Sequence, residues 1–489
     1  MRRDRTIYFN DARHYYLFVH EPPISLENAW RPIDDVAGTA VDTFVYGVAR
    51  VDGLYYPSRV GTQFRHGEHG PDSPGFQQSA YWRTWHNMKS LEKRGLDPLR
   101  LLVDRAHERG IEFFASLRLS AYAGMDPALD TREGGRGWLR PEIGDFQFSV
   151  LQELAVDYPT DGIELDFAAP PMGAPPFFRD EQDAADGTPS MTAWVQQVAG
   201  MAHDADGQVG ARVYPTLELN RRHGLDVLAW LDAGSVDWVV PMIYAHNLTD
   251  PNLDLGWLVE PAHRAGASVY AKIQPYYHNA AGDFSSTAFA TPAMMRAAVA
   301  SYWDQGVDGM YTWFLRWPHG PDEHRILNDM AGPEVVADAD KHYCFGRQTD
   351  ATERIGFATE LPATLPAAGG AAEFRFRVAD DTQEKEDRRV LLKLYVAGLI
   401  AADRLDLSLN RHALDQGNTK RHPPSHRPPY HGLWIEMALE SVRPVRGWNL
   451  LRVELLGRPD DLISDLIIEQ IELAVDILPG RARGDSSTP

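Results

Sequence analysis

The feature that most constrains this chain is a cadence. From about residue 14 to residue 330, short apolar or β-branched runs alternate with amphipathic segments, about eight times in all. The runs are HYYLFVH (14–20), VDTFVYGVAR (41–50), IEFFASLRLS (111–120), DGIELDF (161–167), GARVYPTLE (210–218), VDWVVPMIYA (236–245), SVYAKIQPYY (268–277) and VDGMYTWFLR (307–316). Between them, stretches such as DPLRLLVDRAHERG and TPAMMRAAVASYWDQG place apolar residues at helical spacing and end near glycine. Repeated β-α units build a parallel sheet whose faces are covered by helices. Eight of them predict an α/β architecture closed into a (β/α)8 TIM barrel, whose sites lie at the carboxyl ends of the strands and in the loops that follow. An open, doubly wound sheet would need a glycine-rich phosphate turn after an early strand, and the sequence has none. Two of the expected loops are long, 51–78 and 168–188, and both are rich in Pro, Gly and polar residues, as binding loops are.

Beyond residue 332 the pattern changes. An Ala/Gly/Pro-rich connection leads into segments with period-two alternation, EFRFRVAD, RVLLKLYVAG, LDLSLN, LWIEMAL, NLLRVELLG and IEQIELAVDI, which predict a smaller antiparallel β-sandwich. The expected organisation is a catalytic barrel over 1–335, a linker over 336–372, an accessory sandwich over 373–480 and a disordered tail over 481–489. The Pro/His-rich segment 416–432 is expected as a solvated loop, because its prolines break any regular spacing of metal ligands.

Composition narrows the partners. The chain has 489 residues and a formal net charge of -21, which argues against nucleic acid, since phosphate binding needs clustered Lys and Arg. No run approaches a membrane span, and the N-terminus has no apolar stretch of signal length, so the expected location is the cytoplasm, or outside the cell if a leader has been removed. The one cysteine, Cys344, allows no internal disulfide and no Cys-rich zinc site. No His-x-His or His-Glu-x-x-His spacing occurs, so neither a metal nor another cofactor is expected. A homo-oligomer stays open.

The fourth run carries acids where a buried strand is otherwise apolar. Residues two apart share a strand face, so Glu164 and Asp166 point one way and Ile163, Leu165 and Phe167 the other. The apolar set packs on the helices and the acids look into the barrel, Asp166 nearer the mouth. Asp161, at the strand's entrance, orders that turn, and Asp304 and Asp308 precede the eighth strand at the structural end of the barrel. Two buried carboxylates are costly unless paired, and Arg118 and Arg212 fall at inward positions on the neighbouring strands. Arg118 can hold Asp166 ionised or bind a hydroxyl. Asp166 is read as functional, and Glu164 as ordering the site one layer deeper.

The fourth strand DGIELDF, the stretch GLDVLAWLDAGSVDWVVPMIYAHN running through the sixth, and GVDGMYTWFLRW at the eighth resemble the family-10-like glycosyl hydrolase proteins, which are (β/α)8 barrels of carbohydrate metabolism. The likeness spans residues ~40–320 and implies a glycosidase. The fourth strand is also similar to the chitinase-class family 18 pattern, with departures: Ala168 stands at the catalytic Glu position, and Ala245 stands where an Asp is expected beside Tyr244.

Glycoside hydrolysis uses two carboxyl groups. The expected partner of Asp166 is Glu218, at the end of the fifth run on the face of Arg212, Tyr214 and Thr216, a placement similar to that of the alpha-amylase class. Sugars need aromatic platforms and planar hydrogen-bonding groups. The expected substrate-binding residues are Arg118, Tyr244, His246, Asn247, Gln274, Tyr276, Trp313 and Arg316. The expected function is hydrolysis of an oligosaccharide or glycoside, with Asp166 and Glu218 as the acid/base pair. The alternative is a catalytically silent barrel that keeps the sugar cleft. A Schiff base at Lys272 lacks the phosphate-binding context of an aldolase.

Overall fold

The structure, a computed structural model, describes residues 4–12, 15–50, 53–64, 76–119, 141–170, 176–244, 247–282, 287–383, 387–425 and 428–478. The expected tail lies outside them. The chain forms two compact units. The first comprises Met1–Asn247, Asp254–Ile273 and Gly306–Ala331, and the second Leu248–Leu253, Gln274–Gln305 and Gly332–Pro489.

The first unit is a closed parallel barrel of eight strands: β1 (Arg5–Asp11), β2 (Thr43–Gly47), β3 (Glu112–Arg118), β4 (Gly162–Asp166), β5 (Gln208–Val213), β6 (Trp238–Pro241), β7 (Ser268–Ile273) and β8 (Gly309–Thr312). They neighbour one another in chain order and β8 closes on β1. Seven match the runs expected from sequence. The first does not: the strand is RTIYFND, and of HYYLFVH the described residues 15–20 form turns, with Tyr15 at φ 72° and the Phe18 N–H bonded back to Ala12 O at 3.2 Å. Charged residues at both ends of RTIYFND disguise its alternation.

Inward residues fill the barrel in layers. At the strand entrances Arg5 donates to Glu112 (2.8 Å), Gln208 (3.0 Å) and the Tyr270 hydroxyl (3.2 Å). Above it Phe9, Phe114, Trp238, Tyr270, Tyr311 and Trp313 share one apolar cluster. Gly210 makes room for it, since a Cβ there would stand 2.1 Å from the Trp238 ring.

The entrances also carry a repeated clamp. Asp161, Asp237 and Asp308 each precede an even-numbered strand, and each side chain accepts from a backbone N–H of the strand before: Phe113 (2.7 Å), Val209 (2.7 Å) and Val269 (2.9 Å). Each also meets a histidine from the helix entering that earlier strand: His107 (3.0 Å), His203 (2.9 Å) and His263 (2.8 Å). Each aspartate N–H returns a bond to the carbonyl of the same strand residue, at 2.8–2.9 Å. Asp42, ahead of β2, takes the Thr6 N–H at 3.2 Å in the same way. The barrel therefore repeats in units of two strands. Asp161 and Asp308 do serve the structural end of the barrel.

Among the described residues the second unit holds two larger antiparallel sheets and a short hairpin. One is ordered β9 (Lys341–Gly346), β16 (Leu466–Ile477), β12 (Arg388–Ala397), β14 (Gly432–Ala438) and an edge strand Lys420–His422, with β10 (Ala363–Leu365) also on β16. The other is ordered β11 (Gly370–Val378), β15 (Gly447–Gly457), β13 (Arg404–Leu409) and a short His412–Ala413. Their inward faces meet in a core of Leu, Val, Ile and Phe that includes Leu394, Leu407, Val453 and Leu473. Much of the expected linker is thus sheet: β9, β10 and the start of β11 fall within 336–372. Its short strands, broken by Pro and Gly, carry too little alternation to be seen in sequence. Part of the expected 416–432 loop likewise pairs with β14 as that edge strand.

Candidate functional site

The two acids of β4 lie inward, as their spacing requires, and both are buried. Arg212, inward on β5 and fully buried, holds them together. Its Nη2 stands 2.6 Å from Glu164 Oε1, and its Nη1 is 3.5 Å from Asp166 Oδ2. Arg118, at the end of β3, reaches the same Asp166 oxygen at 3.4 Å, and the Ala168 N–H reaches the other carboxylate oxygen at 3.2 Å. Ser116 donates to Glu164 Oε1 at 2.6 Å and Tyr311 to the same oxygen at 3.4 Å. Among the described residues Glu164 Oε2 and Arg212 Nε, both buried, have no hydrogen-bond partner.

Aromatic faces complete the network. The Arg212 guanidinium lies 3.9 Å from the Phe9 ring centroid, and that of Arg118 lies 4.1 Å from Tyr244. Removed from water, these cations bind π faces strongly. Burial works against the Arg212 charge, yet Glu164, Tyr311 and Asp166 outweigh it and hold the guanidinium protonated beyond its usual range. Burial pushes Glu164 up, opposed by Arg212 and Ser116. Lys272, inward on β7, is pushed well below the ordinary lysine range, chiefly by burial and further by Arg212. Its ammonium nitrogen contacts Asn247 Oδ1 at 3.0 Å and Asn247 O at 3.4 Å, and lies 5.3 Å from the Trp313 ring centroid.

The structure brings together Asp166, Glu164, Arg118 and Tyr244 in this network, and joins Asn247 to it through Lys272. It treats the others differently. Glu218 does not end a strand: β5 stops at Val213, because the Asn220 side chain binds both backbone groups of Tyr214 (2.9 and 2.8 Å) and Thr216 caps a helix, Leu217–Arg222. Glu218 is exposed in the first turn of that helix. Among the described residues no hydrogen bond or ion pair links it to Asp166. Trp313 is no open platform. It is fully buried, edge-on to Phe9 (5.0 Å) and Tyr244 (5.1 Å), because its inward position on the β8 side places it in the interior cluster. Arg316 is exposed beyond β8. Gln274 and Tyr276 belong to the second unit, where Gln274 O accepts from the Thr249 hydroxyl and Tyr276 lies 4.5 Å from Phe289 in a short hairpin. His246 lies outside the described residues.

Sequence reasoning passed over Asp11, which ends β1 and is buried. The alternation of RTIYFND, Arg5, Ile7, Phe9, Asp11, was the signal available. Ala168, at the position of the family 18 glutamate, packs in the interior cluster. Among the described residues no helix is long and apolar enough to cross a membrane, and no group of three or more His, Cys, Asp or Glu could hold a metal ion.

No family model matches the chain, and no curated protein matches it in sequence. Solved structures with a similar fold include three glycoside-hydrolase barrels. The glycoside hydrolase domain of PgaB from Bordetella bronchiseptica is 15% identical over 67% of this chain and 98% of its own, with a TM-score of 0.42. The Group IV chitinase of Ostrinia furnacalis is 11% identical over 68% and 100%, with a TM-score of 0.42. Alpha-L-fucosidase isoenzyme 2 of Paenibacillus thiaminolyticus is 13% identical over 69% of this chain and 50% of its own, with a TM-score of 0.43. Likenesses of this size carry no functional argument, which rests on the residues themselves.

Proposed function

We propose that this protein is a glycoside hydrolase that works at the mouth of its barrel, with Asp166 as the carboxylate at the reacting carbon. One observation carries the reading: Asp166 ends β4, is buried, and is gripped at a single oxygen by two guanidiniums from the flanking strands. That grip fixes the carboxylate in one orientation at the end of a barrel strand where the fold carries its sites, which suits a group meant to attack, or to draw a proton from water, beside an oxocarbenium-like centre. Glu164, one layer deeper and bonded to Arg212 and Ser116, orders the network. Arg118, Tyr244 and Asn247 offer the donors and the aromatic edge that sugar hydroxyls and ring faces require.

A second reading has an observation of its own. Both β4 acids are already engaged by Arg212, as in a barrel that binds a sugar without cleaving it. One experiment separates the two. The purified chain is screened against α- and β-linked oligosaccharides by product chromatography, with binding followed by calorimetry. Cleavage that falls by about 10³-fold in Asp166→Asn, with circular dichroism unchanged, is the expected result. Binding without products would establish the silent barrel instead.

A further inference from the structure

We infer that Asp11 is the second catalytic carboxyl group of this site, the acid that protonates the leaving oxygen of a glycoside. This deepens the hydrolase reading above and rests on it. Three observations meet at Asp11. It is the last residue of β1, hence at the mouth, and its side chain belongs to the interior. Phe9 and Ile7, two and four positions before it, are in the interior cluster, and a Cβ on Gly47 would lie 2.9 Å from both Asp11 Cβ and the tip of the Phe9 ring. Asp11 and Phe9 therefore fill the space that Gly47 leaves on the inner wall, and the same Phe9 ring packs on Arg212, which holds Asp166.

The strand register gives the second. Asp11 pairs with Gly47, Gly47 with Ser116, and Ser116 with Glu164, so one row of the barrel wall leads from Asp11 to the position one inward step below Asp166. β1 and β4 are three places apart in a ring of eight, so the two carboxylates come from separate stretches of the barrel wall.

The third is a break in the repeat. At the mouth ends of the other odd strands the inward residues are Arg118, Arg212 and Lys272, all bases. Only β1 places an acid there, and Asp11 has no part in the aspartate clamps at the opposite end.

In the reaction, the bond from the anomeric carbon to the leaving oxygen breaks, its electron pair stays on that oxygen, and the Asp11 proton moves to it. Asp166 supports the carbon meanwhile, by bonding to it or by taking a proton from the attacking water. Over one turnover one water is split: its hydroxyl ends on the carbon and its proton restores Asp11. Glu218, exposed on its helix, takes no part.

The test compares leaving groups in the full chain. In Asp11→Asn, hydrolysis of sugar-linked glycosides should fall by about 10³-fold, while nitrophenyl glycosides, whose leaving group needs no proton, fall by less than about tenfold. Glu218→Gln should stay within about threefold of wild type. Equal losses on both substrate types, or near-native rates on both, overturn the assignment. If Asp11→Asn loses its near-UV circular dichroism, Asp11→Glu decides on the same criterion, since a displaced acid slows sugar-linked substrates more. Asp166→Asn inactive with Asp11→Asn near-native would remove this inference alone. A wild type that cleaves neither substrate class would remove both it and the hydrolase reading.

Discussion

The two ends of the barrel use the same side chains for opposite purposes. At the strand entrances, Asp161, Asp237 and Asp308 each take one backbone N–H and one histidine, and each clamp is closed on itself. At the mouth, Glu164 and Asp166 share Arg212, Asp166 also draws on Arg118, and one glutamate oxygen and one guanidine nitrogen have no partner among the described residues. A device that recurs every two strands, with each polar group satisfied locally, is what closing a barrel requires. A pooled network that occurs once, under-satisfied and deep, is a cost that folding alone does not explain. On this comparison the site is found where the repeat fails.

The comparison breaks most readily at Arg212. Replacing it with Met leaves two carboxylates buried without their shared cation, and removing one partner of a buried ion network typically costs about 3–5 kcal/mol. Urea unfolding of Arg212→Met should show a loss of that order. A loss under about 1 kcal/mol would mean that Glu164 and Asp166 are relieved by water or protonation, and that the mouth is no more demanding than the entrances.

A clamp should cost less. In Asp237→Ala the buried Val209 N–H loses its acceptor, and the expected destabilisation is about 1–3 kcal/mol, with catalytic rates unchanged once an activity is in hand. If Asp237→Ala reduced turnover as Asp166→Asn does, the division of labour between the two ends would fail.

How much of this was legible follows the same division. Alternation and cadence located seven strands of the barrel and the inward face of β4, because period two is a local property of the chain. β1 escaped because Arg5 and Asp11 are charged, and their burial depends on partners far away in sequence, Glu112 for one. Glu218 was misplaced for a local reason. YPTLELN reads as alternating, but Asn220 folds back on Tyr214 and turns it into a helix start. The clamps were written in the sequence as Ala-His pairs, at 106–107, 202–203 and 262–263, and as the aspartates ahead of the even strands, yet only the register shows what each aspartate binds. Trp313 reads as a platform in sequence, which shows which way a strand-end aromatic can point and not whether others pack over it.

The smallest effect sharpens the comparison through pH. Lys272 is buried at the mouth without a carboxylate of its own, its nitrogen bonded to the Asn247 oxygens, and burial lowers its proton affinity well below that of a free lysine. In the unfolded chain it holds its proton up to about pH 10.4. Between its lowered folded value and that limit the unfolded state binds the extra proton, so the stability of the wild type should rise with pH across the window, and below the window the penalty is present in full. Lys272→Met lacks both the penalty and the slope, and loses only hydrogen bonds worth about 1 kcal/mol. Measured by urea unfolding at neutral pH and again near pH 9.5, the gap between the two proteins should shift in favour of the wild type. Parallel stability curves for Lys272→Met and wild type would mean that Lys272 keeps its proton in the fold, and the mouth would then carry three permanent cations against its acids.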